Sequence, residues 1–325
     1  MGLVEECKQV AAVSSYLFAL VIFGPSCLVL SLYVLFFTDY YWVSLGYAVW
    51  WLCDLQTCNT GGRRGGLVTW VRGMQWWTHV KDYFPIQLIK TADLDPGRNY
   101  IICCHPHGVI CFGSVTVFAS ESAGFSDKFP GIRPHVNTVE GNLWMPGFRE
   151  FFLMFGAVAS SKESLNYILS DPGGGEAAVL MVGGIPEMDN FNDEHINLVL
   201  NKRKGFIKIA LRNGASLVPT FVFGETSLYQ QSDMLSGLQE MIRSKIGIAP
   251  VIFYGRGFLQ NSFGFLPHRR PMNVVVGEPI RVEKNPEPSQ EDIDHYHAVY
   301  VKKLKKLYYK YNNVYGNPKT KLVIN

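Results

Sequence analysis

The chain has 325 residues, of which 48% are hydrophobic, 14% aromatic and only 18% charged, against about 25% charged in ordinary soluble domains. That balance excludes a disordered chain and implies that part of the surface meets lipid, while a net charge of +3 without arginine-rich or zinc-finger spacing excludes a general nucleic-acid binder. Seven cysteines, an odd number set in apolar contexts such as Cys27, Cys53, Cys103 and Cys104, fit free thiols in a reducing compartment better than a disulfide framework.

About 30 residues without charge run from Lys8 to Asp39, and the apolar pattern resumes from Tyr40 to Cys53, where a spanning helix needs about 20. Glu5 and Glu6 spoil the basic start of a signal peptide, and the run exceeds its apolar region of about 7 to 15 residues. A buried core hairpin is the remaining alternative. Residues 1–60 therefore read as a retained membrane hairpin turned at Thr38-Asp39, with Gly24-Pro25 bending the first arm and a second arm that is short for a full crossing. Arg63, Arg64 and Arg72 follow Asp54, a basic bias that puts the next domain, residues 61–325, on the cytoplasmic side. Gly61-Gly62 and Gly65-Gly66 mark a neck, and Trp70, Trp76 and Trp77 suit either an interface or a core.

Beyond the neck, short apolar runs predict strands at Tyr100 to Cys104, Ala177 to Val182, Leu217 to Phe223, Val251 to Tyr254 and Asn273 to Val276. Helical spacing is expected from Glu163 to Leu169 and from Gly205 to Arg212, the latter stopped by Asn213-Gly214. The clearest helix is the last: Ser289 with Asp292 caps it, Ile293, Tyr296, Tyr300, Leu304, Leu307 and Tyr311 form one face, and a lysine row from Lys302 to Lys310 forms the other. Alternating strands and helices give an α/β class with a mixed, mostly parallel sheet and flanking helices.

Cys103-Cys104-His105-Pro106-His107-Gly108 follows a predicted strand and precedes an apolar, helical run from Val109 to Ala119. Two imidazoles on a strand-to-helix turn suit a base, because the helix N-terminus disfavours the imidazolium form and keeps the ring neutral at working pH. No GxSxG elbow is present for a serine hydrolase. The cysteines near the pair, Cys103, Cys104 and Cys111, sit in apolar runs that raise a thiol pKa. A metal-dependent membrane hydrolase built on the histidine pair and a non-catalytic lipid-droplet scaffold stay open as alternatives; direct acyl transfer, in which histidine deprotonates an alcohol that attacks a thioester, is the reading the pair suits.

Tyr83-Phe84-Pro85, His105-Pro106-His107-Gly108, Met145-Pro146-Gly147-Phe148-Arg149-Glu150, Gly183-Gly184 followed by Glu187, the run Arg203 to Glu225, Gly255-Arg256-Gly257 and Val276-Gly277-Glu278-Pro279 stand in order along the chain. In these landmarks it resembles the type 2 diacylglycerol acyltransferase family, which also contains monoacylglycerol and wax-alcohol acyltransferases. The resemblance implies a phospholipid-acyltransferase-like fold and an endoplasmic-reticulum membrane enzyme, with access to lipid droplets, whose cytoplasm-facing site moves an acyl group from acyl-CoA to diacylglycerol, monoacylglycerol or a long-chain alcohol. It implies acyl-CoA as co-substrate with no cofactor and no metal, and is compatible with a homo-oligomer.

On that resemblance His107 is the first choice for the base, His105 orients the loop or shares the role, and Glu187 holds the imidazole or meets substrate. Arg149, Arg203, Lys204 and Arg256 are candidates for the CoA phosphates, and Gly108, Gly183 and Gly184 for close approach of substrate. The chain departs from the wider superfamily's histidine with an aspartate five positions on, since those positions hold Ile110 and Phe112. An orienting acid must come from elsewhere, with Glu187 first and Glu140 and Glu225 behind it. Pro186 also lacks a backbone donor that an oxyanion site could have used.

Overall fold

The computed structural model describes residues 2–188, 195–231, 253–258 and 263–325. Its centre is a seven-stranded sheet in the order β1-β10-β7-β2-β5-β3-β4. The strands are β1 (Ile86–Lys90), β2 (Tyr100–His105), β3 (Arg133–Thr138), β4 (Val158–Ala159), β5 (Glu176–Met181), β7 (Ser216–Phe223) and β10 (Met272–Val276). Two outlying pairs complete the set: β6 (His195–Leu198) with β11 (Lys321–Ile324), and β8 (Gln230–Gln231) with β9 (Phe253–Tyr254). Neighbours in the main sheet run parallel except β10 against β7. The mixed, mostly parallel sheet expected from sequence is therefore present.

β2 and β7 are buried along their whole length. Helices cover both faces, so these strands need no polar alternation and read as unbroken apolar runs. One core lies between the sheet and the helices Gln75–Tyr83 and Phe112–Phe118. The other lies under Gly205–Asn213 and the C-terminal helix Gln290–Tyr315. That last helix starts on the expected cap, Ser289 Oγ accepting from Asp292 N–H while Asp292 accepts from Ser289 N–H. The predicted stop after Arg212 falls one residue later, where Gly214 takes a left-handed conformation.

Three expectations change. The helix expected from Val109 spans only Phe112–Phe118, because Cys111 is itself left-handed at φ 57° and the chain from Pro106 to Cys111 forms a loop. The strand expected from Val251 is seen as Phe253–Tyr254, paired with β8 outside the main sheet, while residues 251 and 252 lie outside those described. The polar strand β3 and the edge strand β1 were not expected at all.

Among the described residues one run of helix, from Leu3 to Phe37, is long and apolar enough to cross a membrane, and it is only 6% buried over its most apolar window. It contains a π turn at Ala19–Phe23 ahead of Gly24-Pro25. The helix Tyr41–Cys53 returns beside it, turned at Thr38-Asp39 as expected, and Ser44 Oγ donates to Ser31 O at 2.9 Å. Val29, Phe36 and Phe37 are 66%, 69% and 75% exposed. The start of the first helix behaves differently: Ala12, Val13 and Tyr16 are buried in the same core as Trp77 and Phe112. One face of the helix Leu3–Phe18, within the predicted anchor, is thus built into the globular body through Gln9, Ala12, Val13 and Tyr16, and the outward-facing hairpin begins near Phe18.

Candidate functional site

β2 ends at His105 in the middle of the sheet, level with Phe221 of β7. Loops beyond the carboxyl ends of such strands are the usual seat of chemistry in α/β sheets. The next peptide, His105-Pro106, is cis, and the two histidines part company across it.

His105 has no exposed surface. Its Nε2 meets Tyr300 OH of the C-terminal helix at 2.9 Å and its Nδ1 is buried without a partner. Burial alone pushes its pKa down to about 3. His107 is half-buried. Its Nδ1 lies 2.8 Å from Gly108 O, and because a carbonyl can only accept, Nδ1 carries the proton and Nε2 keeps its lone pair. No residue among those described bonds Nε2. Burial lowers this imidazole's pKa, opposed by the Gly108 bond. The expected helix dipole is not the cause, since the N–H groups at that helix start are already taken by Glu225.

Two buried carboxylates hold the loop from opposite sides. Glu187 accepts from His107 N–H at 2.9 Å through Oε2 and from Val199 N–H at 2.9 Å through Oε1. Its expected bond to an imidazole is therefore replaced by one to the backbone of the residue that carries it. Burial raises Glu187 to about 7, opposed by those N–H groups and by Arg203. Glu225 accepts from Phe112 and Gly113 N–H at 2.8 Å each and is likewise pushed up to about 7 by burial. Cys111 Sγ donates to His107 O at 2.9 Å. The thiols of Cys103, Cys104 and Cys111 are all raised by burial, against a thiolate nucleophile.

The glycines serve this arrangement. Gly108 has φ 63°, and a Cβ there would lie 2.5 Å from Glu225 Cγ. A Cβ on Gly183 would overlap the Glu187 carboxyl, so this glycine makes room for the acid and not for a substrate. Gly184, at φ 67°, starts the turn that brings Glu187 round.

The predicted cations scatter. Arg203 is exposed, near enough to Glu187 to act on its charge. Lys204 Nζ pairs with Asp294 at 2.6 Å on the C-terminal helix. Arg149 corrects the expectation of a phosphate ligand: it is fully buried, and its guanidinium bonds Asp54 Oδ2 at 2.5 Å and the Asp54 carbonyl oxygen. Its neighbours work to the same end. Glu150 accepts from Tyr47 OH at 2.7 Å and from Gly147 N–H at 2.8 Å, and a Cβ on Gly147 would lie 2.6 Å from Cys27 Sγ. This block clamps the hairpin. Arg256 is buried beside Tyr83. Glu140 is exposed in a short 3-10 turn.

In the sequence Glu225 stands behind Glu187 as a candidate acid, and Tyr300 falls on the apolar face of the last helix. The position of Glu225 after a predicted strand and Gly224 was a usable signal; nothing in the helical pattern marks Tyr300. Among the described residues no three His, Cys, Asp or Glu side chains converge as metal ligands, so the metal-hydrolase alternative finds no ligand set there.

Diacylglycerol O-acyltransferase 2 of Danio rerio is 41% identical over 314 residues, 95% of this chain and 86% of its own length. The Homo sapiens protein of that name is 39% identical over 98% of this chain and 83% of its own. Acyl-CoA wax alcohol acyltransferase 2 of Homo sapiens is 38% identical over 97% of this chain and 96% of its own. A solved structure, the 1-acyl-sn-glycerophosphate acyltransferase PlsC of Thermotoga maritima, is similar at a TM-score of 0.42 and 11% identity over 94% of each chain. The sequence model of the family described as Diacylglycerol acyltransferase matches residues 33–325, and this chain belongs to that family of acyltransferases.

Proposed function

We propose that this chain transfers a fatty acyl group from acyl-CoA to diacylglycerol, with His107 as general base. The observation that carries the reading is the half-buried imidazole at the end of β2, its Nδ1 proton fixed on Gly108 O and its Nε2 lone pair without a protein partner. Nε2 takes the proton of the acceptor hydroxyl as that oxygen attacks the thioester carbonyl. The C–S bond then breaks, and the departing CoA thiolate takes the proton back from the imidazolium, leaving ester, thiol and neutral histidine. Glu187 and Glu225 act on the backbone: they fix where Nε2 points without touching the ring. His105, sealed against Tyr300, supports the loop.

The membrane reading rests on the exposed apolar hairpin. Residues Phe18 to Phe37 measure about 30 Å as helix, the thickness of a hydrocarbon core, whereas Tyr41–Cys53 measures about 20 Å. Both ends rejoin one body, through Tyr16 in the core and Asp54 on Arg149. That favours a hairpin entering and leaving on one face, with residues 61–325 as the cytoplasm-facing acyltransferase domain at the endoplasmic reticulum or a lipid droplet. Acyl-CoA then arrives from water while acceptor and product stay in the bilayer.

Monoacylglycerol and long-chain alcohol are the second reading for the acceptor, supported by the wax alcohol acyltransferase matched over nearly its full length. A membrane assay with labelled acyl-CoA and competing diacylglycerol, monoacylglycerol and long-chain alcohol decides among them. Triacylglycerol as main product supports the first reading; wax ester or diacylglycerol as main product replaces it. Labelled acyl transfer undiminished in His107→Ala would remove the base from the mechanism.

A further inference from the structure

A cavity of about 1090 Å³ opens between the start of the first helix and the segment leading into β10. Leu3, Val10 and Phe258 form part of its apolar wall, and Arg256, His268, Arg269 and Arg270 face them. Arg256 is 93% buried, the complement of its 7% exposure. Its Nε donates to Tyr83 OH at 2.9 Å, which in turn donates to Pro267 O at 2.7 Å, and its Nη2 is buried with no partner. Arg269 lies 4.7 Å from the centroid of the Tyr83 ring and donates to Gln9 Oε1 at 2.5 Å, while its Nε is buried and unpartnered. His268 Nε2 is a third buried nitrogen without a partner. Glu6, 4.0 Å from Arg269, is the acid among the described lining residues. Three arginines and a histidine thus answer to one distant carboxylate.

Native chains rarely leave buried donors unmet, and guanidinium groups in this state suit phosphate oxygens. A second arginine-lined cavity, of about 550 Å³, makes the contrast. There Arg133 and Arg64 are paired with Glu176, Arg72 with Glu121 and Arg63 with Asp54, so its cations are already satisfied. That cavity also lies by Arg133, level with Glu176 at the amino ends of the parallel strands. The first lies at the other end. β10 begins at Met272, whose neighbour Asn273 is level with Phe223 of β7, and His105 is level with Phe221. Two strand spacings, about 10 Å, separate β10 from β2, whose end leads into the His107 loop.

We propose that the Arg256, His268, Arg269 and Arg270 cavity binds the phosphate groups of the acyl-CoA, an inference that deepens and rests on the acyl-CoA-dependent reading above. The apolar wall from the first helix accepts the less polar part of the same ligand. Tyr83 is the positioning residue: its ring lies under Arg269 and its hydroxyl fixes Arg256.

The test measures equilibrium binding of CoA, without an acyl chain, to the full chain in neutral detergent, beside the KM for acyl-CoA. Arg256→Gln and Arg270→Gln are each expected to weaken CoA binding and raise that KM by about tenfold, the loss of one charge-assisted contact. Arg270 is exposed, so its variant keeps the test intact where Arg256→Gln fails to fold. His107→Ala must keep the parent's CoA affinity. Parent and variants are also floated with phosphatidylserine and phosphatidylcholine vesicles. Unchanged CoA affinity overturns the proposal; if binding to phosphatidylserine alone is lost, the cavity holds a lipid headgroup instead. A parent that binds CoA through these arginines but transfers no acyl group sinks the proposed function and leaves this site standing.

Discussion

Glu225 and Arg149 are both ionisable and almost wholly buried, at 2% and 0% exposure, and each belongs to a region rich in glycine. At the rim of the sheet, Glu225 and Glu187 face no buried cation and are satisfied by backbone N–H groups of the loop around His107. At the foot of the hairpin, the two terminal nitrogens of Arg149 bond Asp54 while its Nε has no partner, beside the Tyr47–Glu150 bond. The first region spends buried charge on aiming one imidazole, and the second on tying two parts of the chain together. Charge within a motif therefore does not say whether that charge meets a ligand; what its partner belongs to does.

The largest expected effect separates the two histidines. His107→Ala lowers acyl transfer by about 10²-fold or more while the protein stays folded and in the membrane. His105→Ala instead strips Tyr300 OH of its partner in a sealed core and lowers the melting temperature; an unaltered melting temperature would break the distinction.

Glu225→Ala leaves two buried N–H groups unmet, at about 1–3 kcal/mol each, and is expected to show as lost stability together with lost turnover. Its titration sharpens the point. The folded pKa of Glu225, about 7, lies above the ordinary carboxylate value, so its protonation in the folded state contributes stability that is fully present at low pH and lost as pH rises through about 7. The stability advantage of the parent over Glu225→Gln should be largest near pH 4.5 and shrink by pH 8 in thermal unfolding. A gap that widens with pH would reverse the assignment of burial as the cause.

Arg149→Met removes one partner of a buried pair and is expected to cost about 3 kcal/mol, read as faster proteolysis at the Gly61–Gly66 neck. Turnover per folded molecule should fall far less than in His107→Ala. A loss of acyl-CoA affinity in Arg149→Met would restore the phosphate role. The smallest effect belongs to Lys204→Ala, which breaks a surface pair with Asp294 and should change stability by less than about 1 kcal/mol.

How far the sequence carried the reading follows from the range of the interactions involved. Apolar runs with their own turn signals, such as β2 and β7, and the capping box at Ser289 are local, and their elements appear where the pattern put them. β3 is Arg-Pro-His-Val-Asn-Thr, a strand only because β5 and β4 flank it, and no local pattern announces it. The loop carrying His107 was legible from two histidines around a proline. Its supports were less so: Glu187 reaches across 80 positions and Glu225 across 113, and neither touches a ring. Arg149 misled because a family landmark looks the same whether it binds substrate or braces the chain.

The hairpin has two feet, Tyr16 in the core beside Phe112 and Asp54 locked on Arg149. A body held at two points cannot swivel as it would on one tether, so the orientation of the His107 loop relative to the exposed apolar hairpin is set by the protein.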